Sequence, residues 1–199
     1  MNISNNNKNK ILNFLLRNTN QYNINEIAKI LKLSVGSVHK ILKSLEERKI
    51  VNLKQLGNAS YYSLNLNNTE TIKYCEFLLI EEKNNLLENN KTAKIYISDL
   101  EKYDAKSVIL FGSILNKEDK AKDVDVLFII KNKKQINEIN NFCLEISKIR
   151  TKKVNPLIME EKDLIDNIKN KNNVILDILK KGIILKGENL FIKSIKNAL

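Results

Sequence analysis

The chain has 199 residues, 34 Lys+Arg against 23 Asp+Glu, a net charge of +11, one His, two Cys, one Pro and no Trp. A hydrophobic content of 43% excludes general disorder, and the lack of any 18-residue apolar run excludes a membrane-spanning helix. Cys75 and Cys143 stand alone, which excludes a disulfide framework or a Cys/His zinc site, and the polar start (residues 1–7) lacks a signal-peptide core, so a cytosolic protein is expected.

In chain order, Ile11, Leu12, Phe14 and Leu15 recur at helical spacing and predict a first helix over residues 7–17. Asn23 is placed to cap a second helix with Ile24, Ile27, Ala28, Ile30 and Leu31 on its apolar face. A turn, Lys32-Leu33-Ser34, leads to a third helix, capped by Ser34, with Val35, Val38, Ile41, Leu42 and Leu45 as its core face. Two β-like runs follow, residues 50–53 and 60–64, joined at Gly57-Asn58, a tight hairpin turn.

Two helices, a short turn and a two-stranded wing resemble a winged helix-turn-helix. The stretch from Ser37 through Leu45 to Val51 is similar to the recognition helix and wing entry of MarR- and ArsR-like regulators, and Tyr61-Tyr62-Ser63-Leu64 to the close of the wing. The resemblance implies double-stranded DNA as a partner. Ser37, His39, Lys40 and Lys43 lie off the apolar stripe, where they face solvent or a major groove, and Lys54 sits near the wing tip. Arg is absent from that helix face, so bidentate guanine reading is not expected. Residues 1–66 hold 10 Lys+Arg and 3 Asp+Glu, or +7, against 24 and 20, or +4, in the rest. Charge over the whole chain says less, because Lys, Asn and Ile, all with A/T-rich codons, fill 90 of 199 positions.

Residues 67–91 read as a connecting helix with Ile72, Cys75, Leu78, Leu79, Leu86 and Leu87 on its apolar face. Such a helix suits either docking of the two units or pairing with its copy in a homodimer, the usual state of winged-helix proteins of this kind. Residues 92–199 alternate helix and strand, a small α/β (α+β) domain with a mixed sheet flanked by helices. Helix is expected over 94–103, 136–149, 161–181 and from 188, strand over 107–111, 124–130, 153–159 and 183–185, with Gly182 as a C-cap.

Within that domain an apolar strand ends in Leu110-Phe111-Gly112-Ser113, and after nine intervening residues comes Asp123-Val124-Asp125-Val126. This resembles the signature of polymerase-β-like nucleotidyltransferases, closest in pattern to the small minimal members, some of them antitoxins. Alternation on a strand points both carboxylates to one face and Val124 inward. Paired carboxylates suit Mg²⁺ (or Mn²⁺), which would serve a nucleoside triphosphate such as ATP. Gly112 lets the backbone approach a phosphate, and Ser113 offers a hydroxyl and an amide at a helix start.

The stretch departs from the family pattern at Lys152-Lys153-Val154-Asn155, where Asn155 stands in place of a third carboxylate, with Glu160, Glu161 and Asp163 as substitutes further on. An amide brings no charge and is a poor base. Ile114, Asn116, Lys117 and Lys122 also differ from the family's usual residues. Two functions remain open: transfer of a nucleotide to a protein, RNA or small-molecule hydroxyl, or a degenerate domain that binds nucleotide or a toxin-like partner and controls a transcription regulator.

Overall fold

The computed structural model describes residues 3–117 and 120–199; Met1 and Asn2 of the polar start, and Glu118 and Asp119 of the spacer before Asp123, lie outside the described residues. The chain divides into two compact units, Met1–Leu78 and Leu79–Leu199.

The first unit contains α1 (Ile3–Arg17), β1 (Tyr22–Asn23), α2 (Ile24–Leu31), α3 (Val35–Glu47), β2 (Val51–Leu56), β3 (Ala59–Leu64) and the start of α4 (Thr69–Asn89). Local chemistry sets the helix ends. Asn23 Oδ1 accepts from the Glu26 amide at 3.0 Å while Glu26 Oε2 accepts from the Asn23 amide at 2.8 Å, a reciprocal capping box. Lys32 takes a left-handed conformation (φ 54°) and stops α2, and the Leu33 amide closes back on the Ala28 carbonyl at 2.9 Å. Ser34 Oγ then accepts from the Ser37 amide at 3.2 Å to open α3.

Gly57 (φ 58°) turns the hairpin, with Leu56 opposite Ala59. The two residues of β1 pair with β3 and make the sheet three-stranded, in the order β1-β3-β2. Ile11, Leu12, Leu15, Leu16, Ile27, Val38, Leu42 and Leu45 are buried together with Ile50, Val51 and Tyr62. Two expected core residues are not in that core: Ile30 is 51% and Val35 50% exposed. The apolar stripe on α2 is wider than the surface that covers it, and Val35 is the first residue of α3, before the helix reaches the core.

The second unit continues with α5 (Lys91–Leu100), β4 (Ser107–Phe111), α6 (Ile114–Lys117), β5 (Asp123–Ile129), α7 (Gln135–Ile149), β6 (Lys153–Met159), α8 (Glu161–Lys169), α9 (Asn173–Lys181), β7 (Ile183–Lys186) and α10 (Glu188–Ala198). Its sheet runs β6-β5-β4-β7; β5 and β6 are parallel, and β4 is antiparallel to both β5 and β7. The expected small mixed sheet flanked by helices is thus present. Asn90 starts α5 three residues earlier than periodicity alone suggests, because its Oδ1 accepts from the Ala93 amide at 2.7 Å. Val108 and Leu110 of β4 and Val124, Val126 and Phe128 of β5 pack with Ala93, Tyr96, Ile97, Ile139, Cys143 and Ile146 into one core. Alternation leaves the residues between them for the opposite side of the sheet, which α9 and α10 contact along β4. Burial holds the Cys143 thiol up at about 12, and the same effect with Glu76 nearby holds Cys75 there, so both are inert core residues.

Candidate functional site

Strand direction collects the motif residues at one end of the second sheet. The C-terminal end of β4 meets the N-terminal ends of β5, β6 and β7, with Phe111 opposite Asp125, Asp125 beside Asn155, and Leu110 opposite Ile183. Val124 is fully buried, whereas Asp123 and Asp125 on either side of it are half-buried. The period of two thus turns both carboxylates to the same open face.

Gly112 follows β4 directly, with φ 82°, and a Cβ at this position would lie 2.2 Å from Asp125 Oδ2. Glycine is therefore required twice over, by backbone conformation and by space. The group seated against it is the Asp125 carboxylate. Ser113 is half-buried at the head of the turn, where the Leu115 and Asn116 amides donate back to the Gly112 and Ser113 carbonyls at 3.4 and 3.2 Å. The helix begun there, Ile114–Lys117, has only four residues, so any phosphate contact rests on the Ser113 groups rather than on a helix dipole.

Asn155 occupies the position of the missing third carboxylate and acts on the other two. Its Nδ2 donates to Asp123 Oδ2 at 3.0 Å, and the amide also hydrogen-bonds Asp125. Asp125 is held above the usual carboxylate range, first by burial and then by the charge of Asp123, with the Asn155 hydrogen bond opposing both. Two half-buried carboxylates facing one way offer a hard, oxygen-only donor set, which fits a divalent cation such as Mg²⁺. Among the described residues no cluster of three or more His, Cys, Asp or Glu exists, and of those residues it is Asp123 and Asp125 that stand together here.

The proposed substitutes for the third acid do not reach this site. Glu160, Glu161 and Asp163 follow the far end of β6, so Glu160 lies five residues beyond Asn155, ~17 Å along an extended strand. There Glu160 caps α8 with Asp163, and Glu161 pairs with Lys106 at 3.1 Å. Lys153 lies outside the Gly-Ser and Asp-x-Asp motif yet belongs beside it in space. It is exposed and sits in register beside Asp123, so parallel pairing turns it to the same face as the carboxylates. Its alternation with Asn155 around buried Val154 was the available signal.

In the first unit, His39, Lys40 and Lys43 are exposed on α3, and Lys54 is exposed on β2, paired across the strand with Tyr61. Ser37 is half-buried, one turn inside the helix from its cap. A groove of about 360 Å³ separates the start of α3, at Val35 and His39, from the wing turn at Asn58 and Ser60.

Together these features define a winged helix-turn-helix joined to a nucleotidyltransferase-type sheet with its acidic pair in place. Residues 4–52 match the winged helix-turn-helix DNA-binding family, and residues 90–190 match the family described as polymerase beta, nucleotidyltransferase. The second match spans half of the chain, and the chain belongs to the polymerase beta nucleotidyltransferase family. No curated protein and no solved structure matches it. Among the described residues no helix is long and apolar enough to cross a membrane.

Proposed function

We propose that the second unit transfers a nucleoside monophosphate from ATP, or another nucleoside triphosphate, to a hydroxyl acceptor, and that the first unit holds the protein on double-stranded DNA. The observation that carries the enzymatic half is the Asp123/Asp125 pair facing one way from β5, with Asp125 seated on Gly112. Asp123 and Asp125 would hold Mg²⁺ or Mn²⁺, which when bound supplies positive charge to the phosphates and to the attacking oxygen.

The chain's own residues do the rest. The Ser113 hydroxyl and amide bind the phosphates, and Lys153 adds a cation beside Asp123. Asn155 fixes the orientation of Asp123 through its 3.0 Å hydrogen bond. The acceptor oxygen forms a bond to the α-phosphorus as the α–β bridging P–O bond breaks; pyrophosphate leaves and the hydroxyl proton passes to water. Asn155 takes no proton, since an amide is not a base at neutral pH. A protein side chain, an RNA 3′ end and a small molecule are the acceptor classes.

On the DNA side, Lys40, Lys43 and Lys54 contact phosphates, and His39 and Ser37 stand at the groove. A homodimer presenting two copies of α3 would read two half-sites.

Incubation of the full chain with α-labelled ATP, Mg²⁺ and a cell extract tests the enzymatic half. Label is expected in a macromolecular or small-molecule acceptor with the native chain, and not with an Asp123→Ala/Asp125→Ala variant. Equal labelling by both proteins would sink the reading.

A further inference from the structure

Asp123 and Asp125 are held in different ways. Asp125 lies inside the sheet, opposite Phe111 on β4 and beside Asn155 on β6, with its carboxylate against Gly112. Asp123 is the first residue of β5. It pairs with β6 through Lys153, while the β4 ladder ends two residues further in, at Asp125. A residue at the end of a ladder is fixed by fewer backbone bonds than one inside it. A carboxylate that serves a cation must nevertheless keep its place, so the main chain entering β5 needs a support of its own.

Lys152 supplies that support. Its Nζ donates to the Ala121 carbonyl at 2.7 Å, two residues before Asp123. Ala121 is buried and Lys152 half-buried, so the bond is partly shielded from competing water.

The lysine is anchored in turn through its own backbone. Its amide donates to Tyr96 Oη at 2.7 Å, and the same hydroxyl donates to the Lys152 carbonyl at 3.3 Å. Tyr96 is 2% exposed, and close packing holds its ring in place. Residues on either side are pinned as well. Arg150 Nε donates to Asp99 Oδ2 at 2.8 Å, and the Val154 amide donates to Ser147 Oγ at 2.9 Å. The entry to β6 is therefore tied to α5 and α7. Since Asn155 on the same strand holds the Asp123 carboxylate at 3.0 Å, β6 governs both the main chain before that aspartate and its side chain.

Charge by itself would work the other way. A lysine near two carboxylates repels a metal ion, so a cation at position 152 helps a metal only through what its Nζ holds. The two effects have opposite signs, which makes them separable.

We propose that Lys152 is a positioning residue of the acidic pair: by bonding the Ala121 carbonyl from a backbone clamped on Tyr96, it fixes Asp123 and so raises the affinity of the pair for a divalent cation. This rests on the reading above in which the pair holds Mg²⁺ or Mn²⁺.

Titration of the full chain with Mn²⁺ alone, followed by the electron paramagnetic resonance signal of the free ion, tests this without nucleotide or acceptor. Lys152→Met keeps the aliphatic stem but loses the donor, and is expected to weaken Mn²⁺ binding ~10-fold. Lys152→Arg, which keeps a donor at the end of its stem, is expected to stay within ~3-fold of the native chain. Lys153→Met removes the cation beside Asp123 and is expected to tighten Mn²⁺ by up to ~3-fold, the effect of charge alone. The metal-free melting temperature of Lys152→Met is expected to fall by no more than ~4 °C. Several results would overturn the positioning role while the cation site of the native chain stands. These are Mn²⁺ binding by Lys152→Met as tight as native or tighter, an Arg variant no better than the Met variant, Lys152→Met and Lys153→Met shifting affinity in the same direction, or loss of the metal-free fold in Lys152→Met. Native Mn²⁺ binding no tighter than that of the Asp123→Ala/Asp125→Ala variant would overturn the site and the positioning role together.

Discussion

The two units place their informative charges in opposite settings. In the first, the cations proposed to meet DNA, Lys40, Lys43 and Lys54, are exposed on a helix and a wing. In the second, the anions Asp123 and Asp125 are half-buried, joined through one amide, and one of them is pressed against a backbone atom position that admits no side chain. Exposed charges are screened and act nearly independently. Charges sharing a desolvated site are coupled, so a change at one alters its neighbours. The first surface should therefore degrade in small additive steps, and the second should fail at once.

The largest expected effect follows from that coupling. Replacing Asp123 or Asp125 by Ala is expected to lower nucleotidyl transfer by at least ~100-fold, and the double variant by little more, since the pair acts as a unit. Additive losses in steady-state rates would break the contrast between the units.

Next in size is Gly112→Ala. A side chain at φ 82° and 2.2 Å from Asp125 Oδ2 is expected to cost about 1–3 kcal/mol in urea denaturation. Part of that loss should return in an Asp125→Ala background, where the clashing oxygen is gone, and a double-mutant cycle reads the difference.

Smaller steps are expected in the first unit. Lys40→Ala and Lys43→Ala should each weaken duplex binding and reduce the slope of log K against log salt by ~0.9, independently of one another. Fluorescence anisotropy over a salt series measures this, and an unchanged slope in both variants would remove α3 from the DNA surface.

The smallest effect concerns pH. Asp99 is held below the ordinary carboxylate range, first by its hydrogen bond from Arg150 at 2.8 Å and then by Lys102, with burial opposing. The folded state then binds fewer protons than the unfolded state between the lowered value and the ordinary one near ~3.9, so stability rises with pH across that window. The advantage of the native chain over Asp99→Asn should be complete above the window and vanish as pH falls through it. Thermal melts of both proteins between neutral and acid pH provide the comparison.

Much of the local structure was legible in the residues. Asn23 with Glu26, Ser34, and Gly57-Asn58 each announce an end or a turn, because a cap or a hairpin is decided within four residues. The alternation Asp123-Val124-Asp125 likewise announces which side chains share a face, since the strand period is a local property. Less legible were the partners. Ile30 and Val35 read as core but are half exposed, because periodicity marks an apolar stripe without saying how much of it is covered. Two residues at Tyr22–Asn23 are too short a run to signal a strand, and they become one only because β3 offers a free edge.

By itself the sequence determined the order of elements, the division of charge between the two ends of the chain, and the acidic pair with its Gly-Ser partner. These depend on residue type and on spacings of a few residues. Only the tertiary structure decided that Asp125 rests on Gly112, that Asn155 ties itself to Asp123 across 32 positions of chain, that Glu160 and its neighbours point away from the site, and that Lys152 reaches the Ala121 carbonyl. Each of these joins residues far apart in the chain, and strand register and packing, which set such distances, are properties of the folded whole.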